Sequence, residues 1–133
     1  MAHKISNWIG GIPTPPHLGR YFENRNPATN QVITAVPQST VEDVNAAVRA
    51  AQAALPGWRK TAPAERADLL EAVADCIADR LEEFAALESQ DQGKPIGLAR
   101  RVDIPRAIAN FRFFASAIRQ FPADRKSTRL NSS

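Results

Sequence analysis

The spacing of apolar residues changes once along this chain of 133 residues, and that change constrains its fold more than any other feature. Up to Val36, short runs of β-branched and aromatic residues alternate with glycine and proline, as in short strands joined by turns. From Ser39 onward, apolar residues recur every three or four positions, as on one face of an α-helix. The chain is therefore expected to place a small β-structure before a set of long helices.

The N-terminal β-structure is predicted to contain one antiparallel hairpin. Residues 20–24 and 32–36 have the aromatic and β-branched composition of strands, and residues 26–30 between them are turn formers. Residues 7–9 form a further brief run of strand character. The prolines at residues 13–16 are expected to keep the following stretch out of any regular ladder. An isolated hairpin is only marginally stable, so this one has to pack on another part of the chain.

Three helices are predicted after the β-structure. The first covers residues 41–55, the second residues 61–92 and the third residues 104–118. Pro105 either begins the third helix or kinks it, and the sequence leaves both open. The apolar faces of the second and third helices are Leu70, Val73, Ile77, Leu81, Phe84 and Leu87, and Ile104, Ile108, Phe111, Ala115 and Ile118.

The charge pattern argues against nucleic-acid binding. The sequence pI is near 9.5 and the net charge is +3, but residues 123–133 alone carry a net charge of +2. The remaining residues are almost neutral, and their charges alternate in sign along the predicted helices. Binding to phosphates needs a concentrated basic surface, so no nucleic-acid partner is expected.

Composition also argues against other classes of protein. No apolar run approaches the roughly 20 residues of a membrane-spanning helix, so no membrane association is expected. The N-terminus lacks the apolar core of a secretory signal. Cys76 is the single cysteine and cannot form an internal disulfide, and His3 and His17 are too few for a metal cluster. A reducing, cytoplasmic location fits this composition best.

Residues 123–133 differ from the rest of the chain. They have no apolar period, and four of them are serine or threonine. The run from Arg125 to Ser133 also resembles translated sequencing-adapter read-through. We expect residues 1–122 to form the folded part and residues 123–133 to be a disordered tail that is not native to the protein.

The motifs themselves identify no catalytic or cofactor-binding residue. Gly93-Lys94 resembles the end of a phosphate-binding loop, but Pro95 occupies the position that requires Ser or Thr. Cys76 has acidic neighbours on its own helix, which disfavours a thiolate and favours a packing role. The predicted third helix carries phenylalanines on more than one side, which indicates a missing partner surface. These are Phe111, Phe113, Phe114 and Phe121.

The order and spacing of several motifs resemble the opening of the aldehyde dehydrogenase superfamily. In chain order they are Asn7-Trp8-Ile9-Gly10-Gly11, Asn26-Pro27-Ala28-Thr29, Asp43-Val44, Trp58, Glu65-Arg66 and Leu87-Glu88-Ser89-Gln90-Asp91-Gln92-Gly93-Lys94-Pro95. No single motif is decisive, but their order over residues 5–121 is highly specific. Asp103-Ile104-Pro105-Arg106 and the segment 110–115 also resemble the branch that oxidises 2-aminomuconic and 2-hydroxymuconic semialdehydes.

The resemblance implies an α/β parent protein with a Rossmann-like fold. Residues 1–122 would be the N-terminal part of its coenzyme-binding domain, as a short β-hairpin followed by three α-helices. Members of the family bind NAD or NADP, attack a small aldehyde with a cysteine thiolate and assemble as homodimers or homotetramers. None of the family's catalytic residues can be carried over to this chain, and Cys76 matches no catalytic position.

The resemblance also implies one binding site. Many members of the family hold a structural monovalent cation, and two of its ligands correspond to Asp103 and Arg25. Arg25 could contribute only its main-chain carbonyl. Asp103 has the alternative role of a helix-capping carboxylate just before Pro105.

Two functions follow from these observations. The chain is a truncated, inactive N-terminal fragment of an NAD-dependent aldehyde dehydrogenase, or it is a free-standing, non-catalytic helical interaction module on the same scaffold. The uncovered phenylalanines and the abrupt change in composition at residue 123 favour the fragment.

Deletion of residues 123–133 should leave the thermal midpoint unchanged, because this segment offers neither an apolar face nor a helix cap. Thermal unfolding followed by circular dichroism compares the full chain with the shortened one. A fall of several degrees, which in a small domain corresponds to about 1 kcal/mol, would contradict the prediction.

Overall fold

The β-structure contains more strand pairing than the single predicted hairpin. The computed structural model describes residues 3–120 of the chain. In that range the strands are β1 (His3–Lys4), β2 (Asn7–Ile9), β3 (Ile12–Thr14), β4 (Tyr21–Arg25) and β5 (Val32–Pro37). The predicted hairpin is β4 and β5, which pair antiparallel with Phe22 opposite Val36. β1 adds in parallel on the other side of β5, so this sheet has the order β1-β5-β4.

The expectation that the prolines exclude residues 13–16 from any ladder is wrong for Pro13. β2 and β3 form a second antiparallel hairpin, with Trp8 opposite Pro13 and Ile9 opposite Ile12. Gly10 and Gly11 both have positive φ, as the two-residue turn of such a hairpin requires. Because hydrogen-bonded and non-hydrogen-bonded pairs alternate from the turn outward, Pro13 occupies a pair that needs no N–H from it.

The first helix is joined to the β-structure through one buried carboxylate. α1 (Val41–Trp58) begins after Thr40, and Asp43 accepts hydrogen bonds from the Thr40 N–H at 2.7 Å and the Thr40 hydroxyl at 3.1 Å. Its other oxygen accepts the His17 N–H at 2.8 Å, from the loop between β3 and β4. The hydrogen bond from the Thr40 N–H holds the pKa of Asp43 below its ordinary value, against the opposing effect of burial. Asp43 therefore caps α1 and also fixes this loop against it.

The predicted second helix is divided into two helices. α2 (Pro63–Asp79) ends at Arg80, whose φ of −114° and ψ of 26° are not helical, and α3 (Leu81–Gln92) begins directly after it. Arg80 then pairs with Glu83 in the first turn of α3. Neither glycine nor proline marks the break in the sequence, and the spacing of apolar residues continues across it unchanged.

The predicted third helix is preceded by further helical turns. α4 (Ile96–Leu98) leads into a π-helical segment, Ala99–Asp103, which runs directly into α5 (Ile104–Gln120). Pro105 therefore lies in the first turn of α5. Because it has no N–H to donate to the carbonyl of Arg101, the regular ladder of hydrogen bonds cannot run through it, and the wider π turn lies at this point.

The core lies where α2, α3, the π-helical segment and α5 meet. Its fully buried members are small, and the cluster Ala74, Ala85, Ala99, Ile104 and Ile108 is surrounded by Ile77, Leu81, Phe84 and Phe111. Much of the predicted apolar face thus contacts the core. Val73 and Leu87 are exceptions, because both are exposed. None of the helices between residues 3 and 120 is both long and apolar enough to cross a membrane.

The predicted order of a β-hairpin followed by helices is confirmed, and the described chain has more helices than the three predicted. The assignment of residues 1–122 to one folded unit stays a prediction. The predicted tail, residues 123–133, lies outside the described residues, and so does Phe121.

Enlarging a core alanine should destabilise the chain. Ala74 is fully buried, whereas Ala72 lies on the exposed side of the same helix. Ala74→Leu should lower the free energy of unfolding by about 1–3 kcal/mol through overpacking, and Ala72→Leu by no more than about 0.5 kcal/mol. Urea denaturation of both variants measures the difference. Equal effects would show that α2 does not pack by this face.

Candidate functional site

The two most specific motifs of the sequence contact each other in space. Gly93 follows α3 in the left-handed conformation, with φ of 69°, and the Asn26–Asn30 turn packs against it. A Cβ atom on residue 93 would lie 3.0 Å from the Ala28 nitrogen and 3.1 Å from the Pro27 Cβ. Only glycine accepts both this φ and this close approach without strain. The contact joins the loop between β4 and β5 to the helical core.

The turn that contacts Gly93 is organised by its own side chains. Asn26 Oδ1 accepts the Ala28 N–H at 2.8 Å, and the Asn26 carbonyl accepts the Asn30 N–H at 2.8 Å. Asn30 takes a positive φ of 57°, which asparagine tolerates better than most residues. The Asn26-Pro27-Ala28 motif therefore presents a preformed surface to Gly93.

Lys94 connects α3 to the π-helical segment. Its Nζ donates to Glu88 Oε1 at 2.7 Å and to Asp103 Oδ2 at 2.9 Å. The hydrogen bonds to these two carboxylates hold the pKa of Lys94 above the ordinary lysine value, and the bond to Glu88 has the larger effect. Ser89 Oγ also donates to the Lys94 carbonyl at 2.7 Å. The side chains thus fix the chain just after Gly93 in one position.

The predicted cation ligands have other partners in the structure. Asp103 pairs with Lys94, and the guanidinium of Arg25 donates to the Asn30 carbonyl at 2.8 Å and pairs with Glu23. Neither observation tests the Arg25 carbonyl as a ligand, so the monovalent-cation site at Asp103 and Arg25 stays a prediction. In residues 3–120, no group of three or more His, Cys, Asp or Glu side chains could hold a metal ion.

The carboxylate that contacts β4 is Asp91. Asn24, which precedes Arg25, donates from Nδ2 to Asp91 Oδ1 at 2.7 Å. Both residues line a cavity of about 340 Å³ between the sheet and α3, together with Ile33 and Phe84. In the sequence Asp91 stands out only as part of a motif, and the separation of 67 residues between positions 24 and 91 leaves no local signal for the contact.

Two further motif residues, Trp58 and Arg66, contact each other at the end of α1. Arg66 donates from its guanidinium to the Trp58 carbonyl at 2.9 Å, the Thr61 carbonyl at 3.0 Å and the Arg59 carbonyl at 3.3 Å. Its guanidinium also lies over the Trp58 ring, 5.2 Å from the centroid. Arg66, in the first turns of α2, therefore fixes the chain at and just after the end of α1.

The described residues do not fit the pyrophosphate of a dinucleotide. The single direct strand-to-helix connection in residues 3–120 runs from β5 to α1 through Gln38-Ser39-Thr40 and contains no glycine. The first turn of α1 carries Glu42 and Asp43, whose negative charge would repel phosphate at a helix N-terminus.

Cys76 is exposed, so the expected packing role is wrong. It lies on α2.

Comparison with known proteins identifies the family to which the chain belongs and agrees with the fold described above. The sequence model of the Aldehyde dehydrogenase family matches residues 14–132. The chain belongs to this family. It is 49% identical to the 2-aminomuconic semialdehyde dehydrogenase of Bos taurus over 114 aligned residues. The alignment covers 86% of this chain and 23% of that protein. It is 48% identical over 116 residues to a probable aldehyde dehydrogenase of Mycobacterium tuberculosis, covering 87% of the chain and 23% of that protein.

Solved structures show the same fold. The NAD+ complex of aldehyde dehydrogenase from Bacillus cereus superposes with a TM-score of 0.86 at 36% identity, over 90% of this chain and 25% of that chain. The chain therefore spans about a quarter of the length of the relatives that it matches. The resemblance found in the sequence is confirmed. Some of the residues that carry it, such as Gly93, Lys94 and Arg66, make the contacts between elements described above.

Replacing Gly93 should destabilise the chain through both strain and the clash with the turn. Gly93→Ala is expected to cost at least about 1–2 kcal/mol, the cost of the left-handed conformation alone. Gly57 is the matched control, because it lies within α1 with open space around it, and Gly57→Ala should raise stability by up to about 1 kcal/mol. Chemical denaturation of both variants measures the two effects. A neutral Gly93→Ala would show that the turn does not pack on residue 93.

Proposed function

We propose that the chain forms the N-terminal part of the coenzyme-binding domain in the subunit of an NAD-dependent aldehyde dehydrogenase. The reaction is oxidation of a semialdehyde of the 2-aminomuconic or 2-hydroxymuconic type to a carboxylic acid. The proposed enzyme acts in the cytoplasm as a homodimer or homotetramer. The observation that carries the proposal is the 49% identity to a 2-aminomuconic semialdehyde dehydrogenase over 86% of the chain.

Within this enzyme, the described residues support the fold and perform none of the chemistry. The intact enzyme would hold NAD as the acceptor for the hydride that the substrate loses. The residues described above instead join the sheet to the helices through Gly93, fix the chain after α3 through Lys94, and close α1 through Arg66. The alternative, an interaction module, would use the same uncovered surfaces, but family membership favours the dehydrogenase.

The isolated chain should neither bind NAD measurably nor oxidise aldehydes. The described residues offer no phosphate-binding loop, and a thiolate and nicotinamide must be held against the aldehyde for reaction. Calorimetric titration with NAD and an NADH-absorbance assay with 2-hydroxymuconic semialdehyde test both expectations. Saturable binding, or turnover that Cys76→Ser abolishes, would contradict the assignment of the chain as a supporting part.

A chimera tests the proposed enzyme itself. The 114 aligned residues replace their counterparts in the Bos taurus relative. We expect the chimera to form NADH from 2-hydroxymuconic semialdehyde with kcat/KM within about tenfold of its parent, a loss of no more than about 1.4 kcal/mol in transition-state stabilisation. A chimera that keeps the parent's oligomeric state and NAD affinity but does not oxidise the semialdehyde would contradict the proposed substrate class.

A further inference from the structure

One buried carboxylate holds the loop between β3 and β4 against α1. Asp43 is 7% exposed, and among residues 3–120 it is the one charged residue that is buried. One of its oxygens accepts the His17 N–H, and the other accepts both the N–H and the hydroxyl of Thr40. All three bonds need an acceptor, and an ionised carboxylate accepts on both oxygens. A protonated carboxyl group or an amide keeps only one good acceptor, so the contact with the loop depends on the charge.

The loop that this carboxylate holds, residues 15–20, is a compact unit. It begins with two prolines, which restrict its backbone, and Pro16 is buried. The Gly19 N–H donates to the Pro16 carbonyl at 2.8 Å, so the loop closes a turn of its own. At its far end, the Arg20 carbonyl accepts the Gln38 N–H at 3.0 Å. The loop is therefore built to move as one body about this end when the contact with α1 is lost.

A proton from solvent can reach the carboxylate without prior unfolding of the helices. An open cavity of about 190 Å³ lies between the β2–β3 hairpin and α1, and Asp43 lines it together with Asn7, Trp8 and Val44. Ser39 Oγ donates to Asn7 Oδ1 at 3.0 Å beside the cavity. This bond joins the hairpin to the segment before α1 independently of the loop.

The surroundings of Asp43 favour its ionised form. The Thr40 N–H has the largest effect and, with the His17 N–H, holds the pKa of Asp43 below its ordinary value of about 3.9, against the effect of burial. The titratable groups that interact with it are the His17 imidazole on the loop and the neighbouring Glu42 on α1. The hairpin side of the cavity, formed by β2, contributes none. Because the pKa is lower in the folded chain, the hold on the loop is present above the ordinary value and is lost as the pH falls through the folded value.

The helical core is held together in another way. It packs through apolar residues such as Ala74, Ile104 and Ile108. The ion pair of Arg112 with Asp75 between α5 and α2 has exposed side chains, and exposed pairs contribute little to stability. Parts of a protein that are held by different interactions open separately. Acid is therefore expected to release the loop before it unfolds the core.

We propose that Asp43 is an acid-sensitive latch for the loop of residues 15–20. With the carboxylate ionised, the loop is held on α1. With the carboxylate protonated, the loop separates from α1 while α2, α3 and α5 stay packed on one another. The latch lies wholly within this chain, so it does not rest on the proposed enzyme activity.

Nuclear magnetic resonance of the full chain tests the latch in a titration from about pH 7 to about pH 2, which covers the acid range of a carboxyl group. The Asp43 side-chain carboxyl carbon reports its protonation. We expect the His17 amide resonance to move with the same midpoint, and the cross-peak from the His17 amide proton to the Asp43 β-protons to be lost. The resonances of Ala74 and Ile108 should keep their native positions through this step.

Asp43→Asn should release the loop at neutral pH, because an amide cannot accept on both sides. The His17 amide resonance of this variant should match that of the unsubstituted chain in acid and should no longer respond to acid. Glu65→Gln is the matched control, since Glu65 is an exposed carboxylate in the first turn of α2. It should leave the His17 resonance and its titration unchanged.

The inference is wrong if His17 keeps its cross-peak to Asp43 after the carboxyl group is protonated. It is equally wrong if Ala74 and Ile108 lose their native positions in the same step as the loop, because the core would then open with it. For the variant, a native His17 resonance in Asp43→Asn at neutral pH, or loss of the native core resonances there, would also contradict the latch.

Discussion

The close approach of the Pro27–Ala28 backbone to Gly93 is the contact on which the arrangement of the chain depends. It brings the loop of the β4–β5 hairpin against the end of α3, and it requires a residue without a side chain in the left-handed conformation. An isolated hairpin has little stability of its own. The hairpin therefore gains its position from this contact and from the hydrogen bond between Asn24 and Asp91 nearby. Lys94, the next residue after Gly93, continues the junction into the π-helical segment.

The sequence predicts those parts of the fold that depend on local chemistry. The β4–β5 hairpin follows from its strand composition and turn formers, and α1 follows from the spacing of its apolar residues. The division of α2 from α3 at Arg80 has no local signal, because the apolar period continues through it. Periodicity also favours large side chains, whereas the fully buried positions are alanines, which pack where helices approach closely. Val73 and Leu87 belong to the predicted apolar face but are exposed. The spacing of apolar residues therefore identifies the apolar side of a helix, but it does not identify what packs against that side.

The sequence shows which residues form the motifs, but it does not show which of them contact each other. The predicted cation ligands, Asp103 and Arg25, stay a prediction. The motif segments are visible in the sequence alone, and they indicate the family to which the chain belongs. That the Asn26-Pro27-Ala28 turn contacts Gly93 and that Asp91 contacts Asn24 depend on long-range packing that no local pattern encodes. The contacts also explain why these residue types occur where they do. They join elements of the fold.

The most direct test of the account is a nuclear Overhauser measurement on the full chain in solution. The packing predicts cross-peaks between the Gly93 α-protons and the Pro27 side-chain protons, since a Cβ at residue 93 would lie 3.1 Å from the Pro27 Cβ. Their presence, together with sequential helical contacts through α3, would support the junction as described. If the helical contacts of α3 are intact and no cross-peak joins Gly93 to Pro27 or Ala28, the hairpin is not held against the helices, and the central claim is contradicted.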